Sequence, residues 1–195
     1  MPITRRSSIG DVAAAVATAL RTAGFDAILT GGACAAIYSQ GAYVSHDLDF
    51  VVRSGGGRAD LDKALAAVGF TRQHDRYVHA RTTFFVEFPR GPLSIGDDTN
   101  IRPVRLKIGR STIAALSPTD SCRDRLAAFY HWSDRQSLRS AVEIALRERV
   151  NMAAVRRWSE REGAADKFKE FSDEVARRRR VQALHVAERD VGIHT

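Results

Sequence analysis

Asp47 and Asp49 stand two residues apart in the run Ser45-His46-Asp47-Leu48-Asp49-Phe50, and their spacing is the first sign of chemistry in this 195-residue chain. On a strand, residues i and i+2 share a face, so both carboxylates project together while Leu48 and Phe50 turn the other way. Two like charges held side by side repel unless a cation neutralises them. Hard oxygen donors of this kind suit magnesium or manganese. A third acid follows the same logic: in Thr82-Thr83-Phe84-Phe85-Val86-Glu87-Phe88, Glu87 stands in an otherwise apolar strand pattern. If the two strands are neighbours, Asp47, Asp49 and Glu87 make a cluster able to hold two divalent cations roughly 3.5 to 4 Å apart.

Upstream, Gly31 and Gly32 follow a short apolar strand and precede a short helix. In that geometry backbone N–H groups and the helix N-terminus can cradle a triphosphate, with the Thr30 hydroxyl as a further donor. One cation would then acidify an attacking hydroxyl and the other would carry the nucleotide phosphates and the leaving pyrophosphate. Each feature alone is ordinary, since a glycine pair is commonly a turn and an acid pair commonly a solvated edge. The order strand, glycine pair, helix, acid pair, then an isolated acid on a later apolar strand is far more specific.

The elements that must position these residues can be read from periodicity. Ile9, Val12, Ala13, Val16, Ala17 and Leu20 recur at helical spacing, with Ser8 as N-cap and Gly24 as the stop. A strand over Ala27 to Leu29, a turn at Thr30-Gly31-Gly32, a short helix through Tyr38 and a strand from Asp47 to Val52 follow. After the glycine cluster Gly55 to Gly57 the pattern predicts a helix over Asp60 to Val68. Strand-like pieces then occupy Phe70 to Gln73, Arg76 to His79, Thr82 to Phe88, Val104 to Ile108 and Thr112 to Leu116. At Ser117-Pro118-Thr119-Asp120 the chain turns helical, because serine caps, proline fits the first helical position and Asp120 completes a capping box. Helices are expected at Pro118 to Trp132, Asp134 to Arg149, Met152 to Glu162 and Ala164 to about Val186. The fold class is α+β: a small mixed sheet with flanking helices over residues 1–116, and a helical region over 117–195 packed on it.

Composition sets the outer bounds. A 44% hydrophobic content supports a real core. No apolar run approaches the ~20 residues needed to span a bilayer, and no secretory leader precedes the first helix, so a cytoplasmic protein without membrane contact is expected. Cys34 and Cys122 each lie in an apolar helical stretch and are expected to pack, not to pair or bind zinc. The net charge of +7 favours anionic partners such as nucleic acid or nucleotides. Nearly all of it is arginine, a bias that genome composition produces equally well.

The stretch from Leu29 to Val52 resembles the signature of the DNA polymerase β nucleotidyltransferase superfamily: a glycine-rich turn followed by an aspartate, any residue and a second acid. Within that group the Gly31-Gly32 spacing and the SHDLDF run are most similar to AbiEii/MenT-like toxin nucleotidyltransferases, in which a serine or threonine stands two residues before the first aspartate, the place Ser45 holds here. The resemblance implies a minimal nucleotidyltransferase fold, two divalent metals (Mg2+ or Mn2+), an NTP donor such as ATP, and NMP transfer to an acceptor. For such toxins the acceptor is the 3′ end of tRNA, and an antitoxin is a further expected partner. It also implies Asp47, Asp49 and Glu87 as metal ligands. The match is good over residues 29 to 52 and looser from 82 to 132. Such toxins carry a lysine on the helix after the sheet and an aspartate beyond it, whereas this chain has no lysine between Lys107 and Lys167. Arg123 or Arg125 would take over triphosphate contact, because a guanidinium fork binds phosphate well, and Asp134 is the candidate for the later aspartate.

Other conspicuous residues have plainer readings. His74, His79 and His131 lack zinc spacing and are expected to be structural or surface groups. Ser45 is either a regulatory site or a cap at the strand entry. The run Arg177 to Arg180 either meets RNA phosphates or forms a solvated helix face. Val155, Trp158, Phe168 and Phe171 are expected to face the core. Two other functions share the same residues: NMP transfer to a small hydroxylated molecule, and a non-catalytic nucleotide-binding module, which the missing lysine motivates.

Overall fold

The computed structural model describes residues 2–191, with side chains through residue 184. In chain order the elements are α1 (Ile9–Thr22), β1 (Asp26–Thr30), α2 (Gly31–Tyr38), β2 (Asp47–Ser54), α3 (Arg58–Ala66), β3 (Phe70–Gln73), β4 (Arg76–His79) and β5 (Phe85–Glu87). They continue with β6 (Val104–Ile108), β7 (Ser111–Ala115), α4 (Pro118–Trp132), α5 (Arg135–Arg147), α6 (Met152–Arg161) and α7 (Ala165–Val191). The strands form one mixed sheet in the order β3-β4-β5-β2-β1-β7-β6. Only β1 with β7 and β2 with β5 run parallel; the other neighbours are antiparallel. The α+β architecture expected from the sequence is the one observed.

Local chemistry sets the element ends. Ser8 accepts from the Asp11 amide while the Asp11 carboxylate takes the Ser8 N–H at 2.9 Å, a closed capping box for α1. Most boundaries fall within one or two residues of the periodic pattern, and three departures have a visible cause. The expected turn at Thr30-Gly31-Gly32 is absent: β1 runs straight into α2, and Gly31, at φ +61°, absorbs the change of direction. Helix α3 starts at Arg58, two residues early, because the Asp60 carboxylate accepts the Gly57 N–H at 3.1 Å from inside the first turn. The strand expected from Thr82 begins only at Phe85, since the Phe84 amide is diverted to the Thr82 hydroxyl at 3.3 Å.

Helices α1 and α3 cover one face of the sheet. Tyr77 points to that side, where its hydroxyl donates to Asp62 of α3 at 2.6 Å. Leu48, Phe50, Val86 and Phe88 share the side, and Phe88 meets the Tyr77 ring edge-on with centroids 5.5 Å apart. On the other side α2 packs on β2 and against α4 and α5, so the helical region and the sheet share one apolar cluster. Leu126, Ala141, Trp158 and Phe171 are buried in it, and each such leucine or aromatic stabilises by about 1.5–3 kcal/mol through lost water contact. Val155 also faces the core and Phe168 packs at its margin. Cys34 and Cys122 are buried free thiols. Burial pushes the Cys34 thiol up to about 12, as suits a packing group. Among the described residues no helix is long and apolar enough to cross a membrane.

Candidate active site

Strand register brings the three acids to one face. Parallel pairing sets Asp47 opposite Phe85 and Asp49 opposite Glu87, while antiparallel pairing sets Thr30 opposite Asp49. Thr30, Asp49 and Glu87 thus form one row across three strands. This row lies on the face away from α1 and α3, because the intervening Leu48 and Val86 are fully buried on the other.

The start of α2 abuts this row. A Cβ added to Gly31 would overlap the Asp49 carboxylate, and one added to Gly32 would come within 2.5 Å of Ser45 Oγ and 3.4 Å of Asp47 Oδ1. No side chain caps α2, and the Thr30 hydroxyl instead donates to the Asp49 carbonyl at 3.3 Å. The first amides of the helix therefore remain available to an anion beside the acids. Ser45 is buried and donates its hydroxyl to Asp47 Oδ1.

The electrostatics reflect crowding of like charge. Burial first, then Asp47, then Glu87 push the Asp49 carboxyl up to about 6. Arg125 opposes this and Asp124 adds to it, so α4 also delivers charge to the site. Glu87 is likewise raised by burial, by Asp47 and by Asp75, with Arg76 pulling the other way. The donor set is oxygen-only, anionic and mutually repelling, which fits a divalent cation. As placed, no three acidic, histidine or cysteine side chains among the described residues enclose a metal-sized space. The Ser45 hydroxyl occupies only Oδ1 of Asp47 and leaves Oδ2 without a hydrogen bond among the described residues.

The later candidates separate. Arg125 grips its neighbour Asp124 through Nε at 3.0 Å and Nη2 at 2.6 Å and stays within electrostatic reach of Asp49. Arg123 turns elsewhere. It is buried, paired with Asp98 at 2.5 Å and Asp120 at 2.9 Å, and stacked over Trp158 at 5.0 Å. It clamps the segment before β6 onto the helical region, a structural task. Arg123→Ala would leave two carboxylates in a poorly solvated site and is expected to destabilise the fold by about 3–5 kcal/mol. Urea unfolding measures that loss, and Mg-NTP binding of the still-folded fraction should be retained.

Asp134 is the N-cap of α5. Its Oδ1 accepts the amides of Gln136 (2.9 Å) and Ser137 (3.2 Å), and its Oδ2 accepts the Ser137 hydroxyl at 2.7 Å. Those bonds, the Ser137 hydroxyl foremost, hold its carboxyl below the usual range. Asp134→Ala should lower stability by about 1 kcal/mol and Asp134→Asn by a few tenths. A fall in NMP transfer for the asparagine variant without a fall in stability would give Asp134 a direct part in chemistry.

Three residues near the acids escaped the sequence reading: Asp124, Arg76 and Phe85. Phe85 had a signal, because it is two residues from Glu87 and must share its face. Asp124 and Arg76 had none, since only tertiary packing carries them to the row. A cavity of about 1180 Å³ lies on the opposite side of the sheet, between α1 and α3, and none of the acids lines it.

No family model matches this sequence, and no curated protein matches it. Among solved structures, the chain is similar to an antigenic nucleotidyltransferase-like protein from Paracoccidioides brasiliensis, with a TM-score of 0.54 over 74% of this chain and 78% of that chain. At 17% identity the likeness is one of fold. The chain thus has a nucleotidyltransferase-like fold, with its acids half-buried on the sheet face against which α2 packs.

Proposed function

We propose that this protein is a metal-dependent nucleotidyltransferase that moves an NMP from an NTP to an acceptor hydroxyl, and that the acceptor is RNA, with the 3′ end of tRNA the first candidate. The observation that carries this reading is the row of Thr30, Asp49 and Glu87 with the uncapped start of α2 set against it. The nucleotidyltransferase-like fold supports the same reaction class. Asp47, Asp49 and Glu87 would hold Mg2+ or Mn2+, which when bound neutralises triphosphate charge and acidifies the acceptor hydroxyl.

The chain's own groups do the positioning. The amides at Gly31 and Gly32 receive phosphate oxygens, and the absence of side chains there lets the donor approach Asp49. Arg125 supplies positive charge from the α4 side and takes the place of the lysine expected in toxin-like relatives. The new bond joins the acceptor oxygen to the α-phosphorus as the bond to pyrophosphate breaks, with the two oxygens in line and the acceptor hydroxyl's proton passing to solvent. Ser45 orients Asp47 through its hydroxyl. A toxin-like role in the cytoplasm with a neutralising antitoxin belongs to the same proposal.

Incubation with each labelled NTP, Mg2+ and total tRNA is the test. Label on tRNA that disappears in Asp49→Ala supports the proposal; equal labelling by that variant would sink it. Transfer to small hydroxylated acceptors with tRNA untouched would replace RNA as the acceptor. Mg-dependent NTP binding without turnover on any acceptor would favour a nucleotide-binding module.

A further inference from the structure

Beyond β2 the acid-bearing face continues over β5, β4 and β3, and here it is open. Pairing of Tyr77 with Val86 in antiparallel sense puts Arg76 across from Glu87 and Val78 across from Phe85. Phe85 and Val78 are half-buried and Arg76 is exposed, although Phe85 shares β5 with Glu87 and the other two lie on the next strand. The Arg76 guanidinium sits over the Phe85 ring, 4.8 Å from its centroid. A planar cation resting on an aromatic ring leaves its outer plane free for a second flat group.

We propose that Phe85 and Arg76 form the acceptor platform, on which the terminal base of a single-stranded RNA 3′ end stacks. The inference rests on the nucleotidyl-transfer reading of the acids. Strand order separates the two substrates: the start of α2 and Thr30 flank the acids on the β1 side, whereas Phe85 and Arg76 flank them on the β5 side. The donor triphosphate takes the first flank and leaves the second to the acceptor. Adjacent strands lie roughly 4.8 Å apart, so the platform reaches about one nucleotide's length from the acid row. Its openness favours a polymer end over a small acceptor, which needs an enclosing pocket to bury most of its surface. Excess positive charge on the chain favours a polyanion, and Arg76, facing Glu87, offsets part of the negative charge that Glu87 and Asp75 bring to that end of the row.

The test uses the full chain and a 5′-fluorescein single-stranded RNA 12-mer, read by anisotropy with Mg2+, alongside binding of a fluorescent NTP analogue. Phe85→Leu, Phe85→Ala and Arg76→Ala are each expected to weaken RNA binding about tenfold while NTP binding stays within twofold. Phe85→Trp should preserve RNA binding, and Arg76→Lys, which keeps charge but loses the plane, should not restore it. Circular dichroism checks folding, and Phe85→Leu keeps the buried volume if the alanine variant unfolds. RNA affinity unchanged in folded Phe85→Leu and Arg76→Ala would overturn the platform. So would full restoration by Arg76→Lys, which would reduce Arg76 to a charge contact, or weakened NTP binding with RNA intact, which would assign the platform to the donor base. If wild type binds no RNA, the platform falls while NMP transfer to another acceptor still stands. If transfer fails with RNA binding and its variant pattern intact, the function reading falls and the platform survives as an RNA site.

Discussion

Asp49→Asn is expected to abolish NMP transfer, by on the order of 10³-fold or more, while making the metal-free protein more stable at neutral pH. On the proposed function, the activity loss follows from removing the charge at the centre of the row formed by Thr30, Asp49 and Glu87. The stability gain follows from proton linkage. In the unfolded chain the Asp49 carboxyl titrates near 3.8, and in the folded protein it is pushed up to about 6 by burial, Asp47 and Glu87. Between those values the folded state holds a proton that the unfolded state has released. Stability therefore falls as pH rises from about 4 to 6 and stays lower above that, by about 3 kcal/mol at full ionisation. Asparagine removes this penalty. Denaturant unfolding in EDTA should show the variant more stable than wild type at pH 8 and similar to it at pH 4. An equal difference at the two pH values would mean that Asp49 does not bear the charge strain. With Mg2+ present the order should reverse, because a bound cation stabilises wild type in proportion to its occupancy and the variant much less.

Gly31→Ala should damage stability and the site together. At φ +61° an L side chain carries a backbone penalty of about 1–2 kcal/mol, and here the new methyl also overlaps the Asp49 carboxylate. Together these are expected to lower stability by about 3 kcal/mol and to eliminate transfer, since both Asp49 and the amide end of α2 must shift. A double-mutant cycle separates the two terms. Gly31→Ala combined with Asp49→Ala should recover about 1–2 kcal/mol of the loss, because the overlap goes while the backbone penalty remains. No coupling between the two positions would show that the glycine is there for its φ angle alone.

Much of the site was legible in sequence because its key relations are local. Asp47 and Asp49 share a face by strand geometry whatever surrounds them, and the Gly31-Gly32 pair marks a strand-to-helix junction by composition. Helix α4 was placed to the residue because Ser117, Pro118 and Asp120 encode its start within four positions. Where the reading drifted, a side chain had competed with the ladder or the helix: Thr82 shortened β5, and Asp60 moved the start of α3 two residues upstream.

Arginines 123 and 125 mark the limit of such reasoning. They are two residues apart on one helix, equally basic and equally close to the expected phosphate contact in sequence. Positions i and i+2 on a helix point about 200° apart, so one meets the Asp98–Asp120 pair and the other lies within reach of Asp49. Which of them turns inward depends on how α4 is rotated against α2 and α6, a matter of packing shape that no local pattern records.

The sequence by itself determined that two carboxylates share a strand face, that a glycine pair lies between a strand and a short helix just before them, and that an isolated acid sits on an apolar strand; that the pair is the first turn of the helix and not a separate turn was seen only in the structure. Tertiary structure alone decided that Glu87 stands beside Asp49 and that Phe85 and Arg76 lie open next to them. Strands 2 and 5 are separated by a helix and two strands, and their register is fixed by burial of Leu48 and Val86 on the far face. A slip of one residue would send Glu87 to the α1 and α3 side, where a buried carboxylate has no partner, so the apolar core holds the polar row in line.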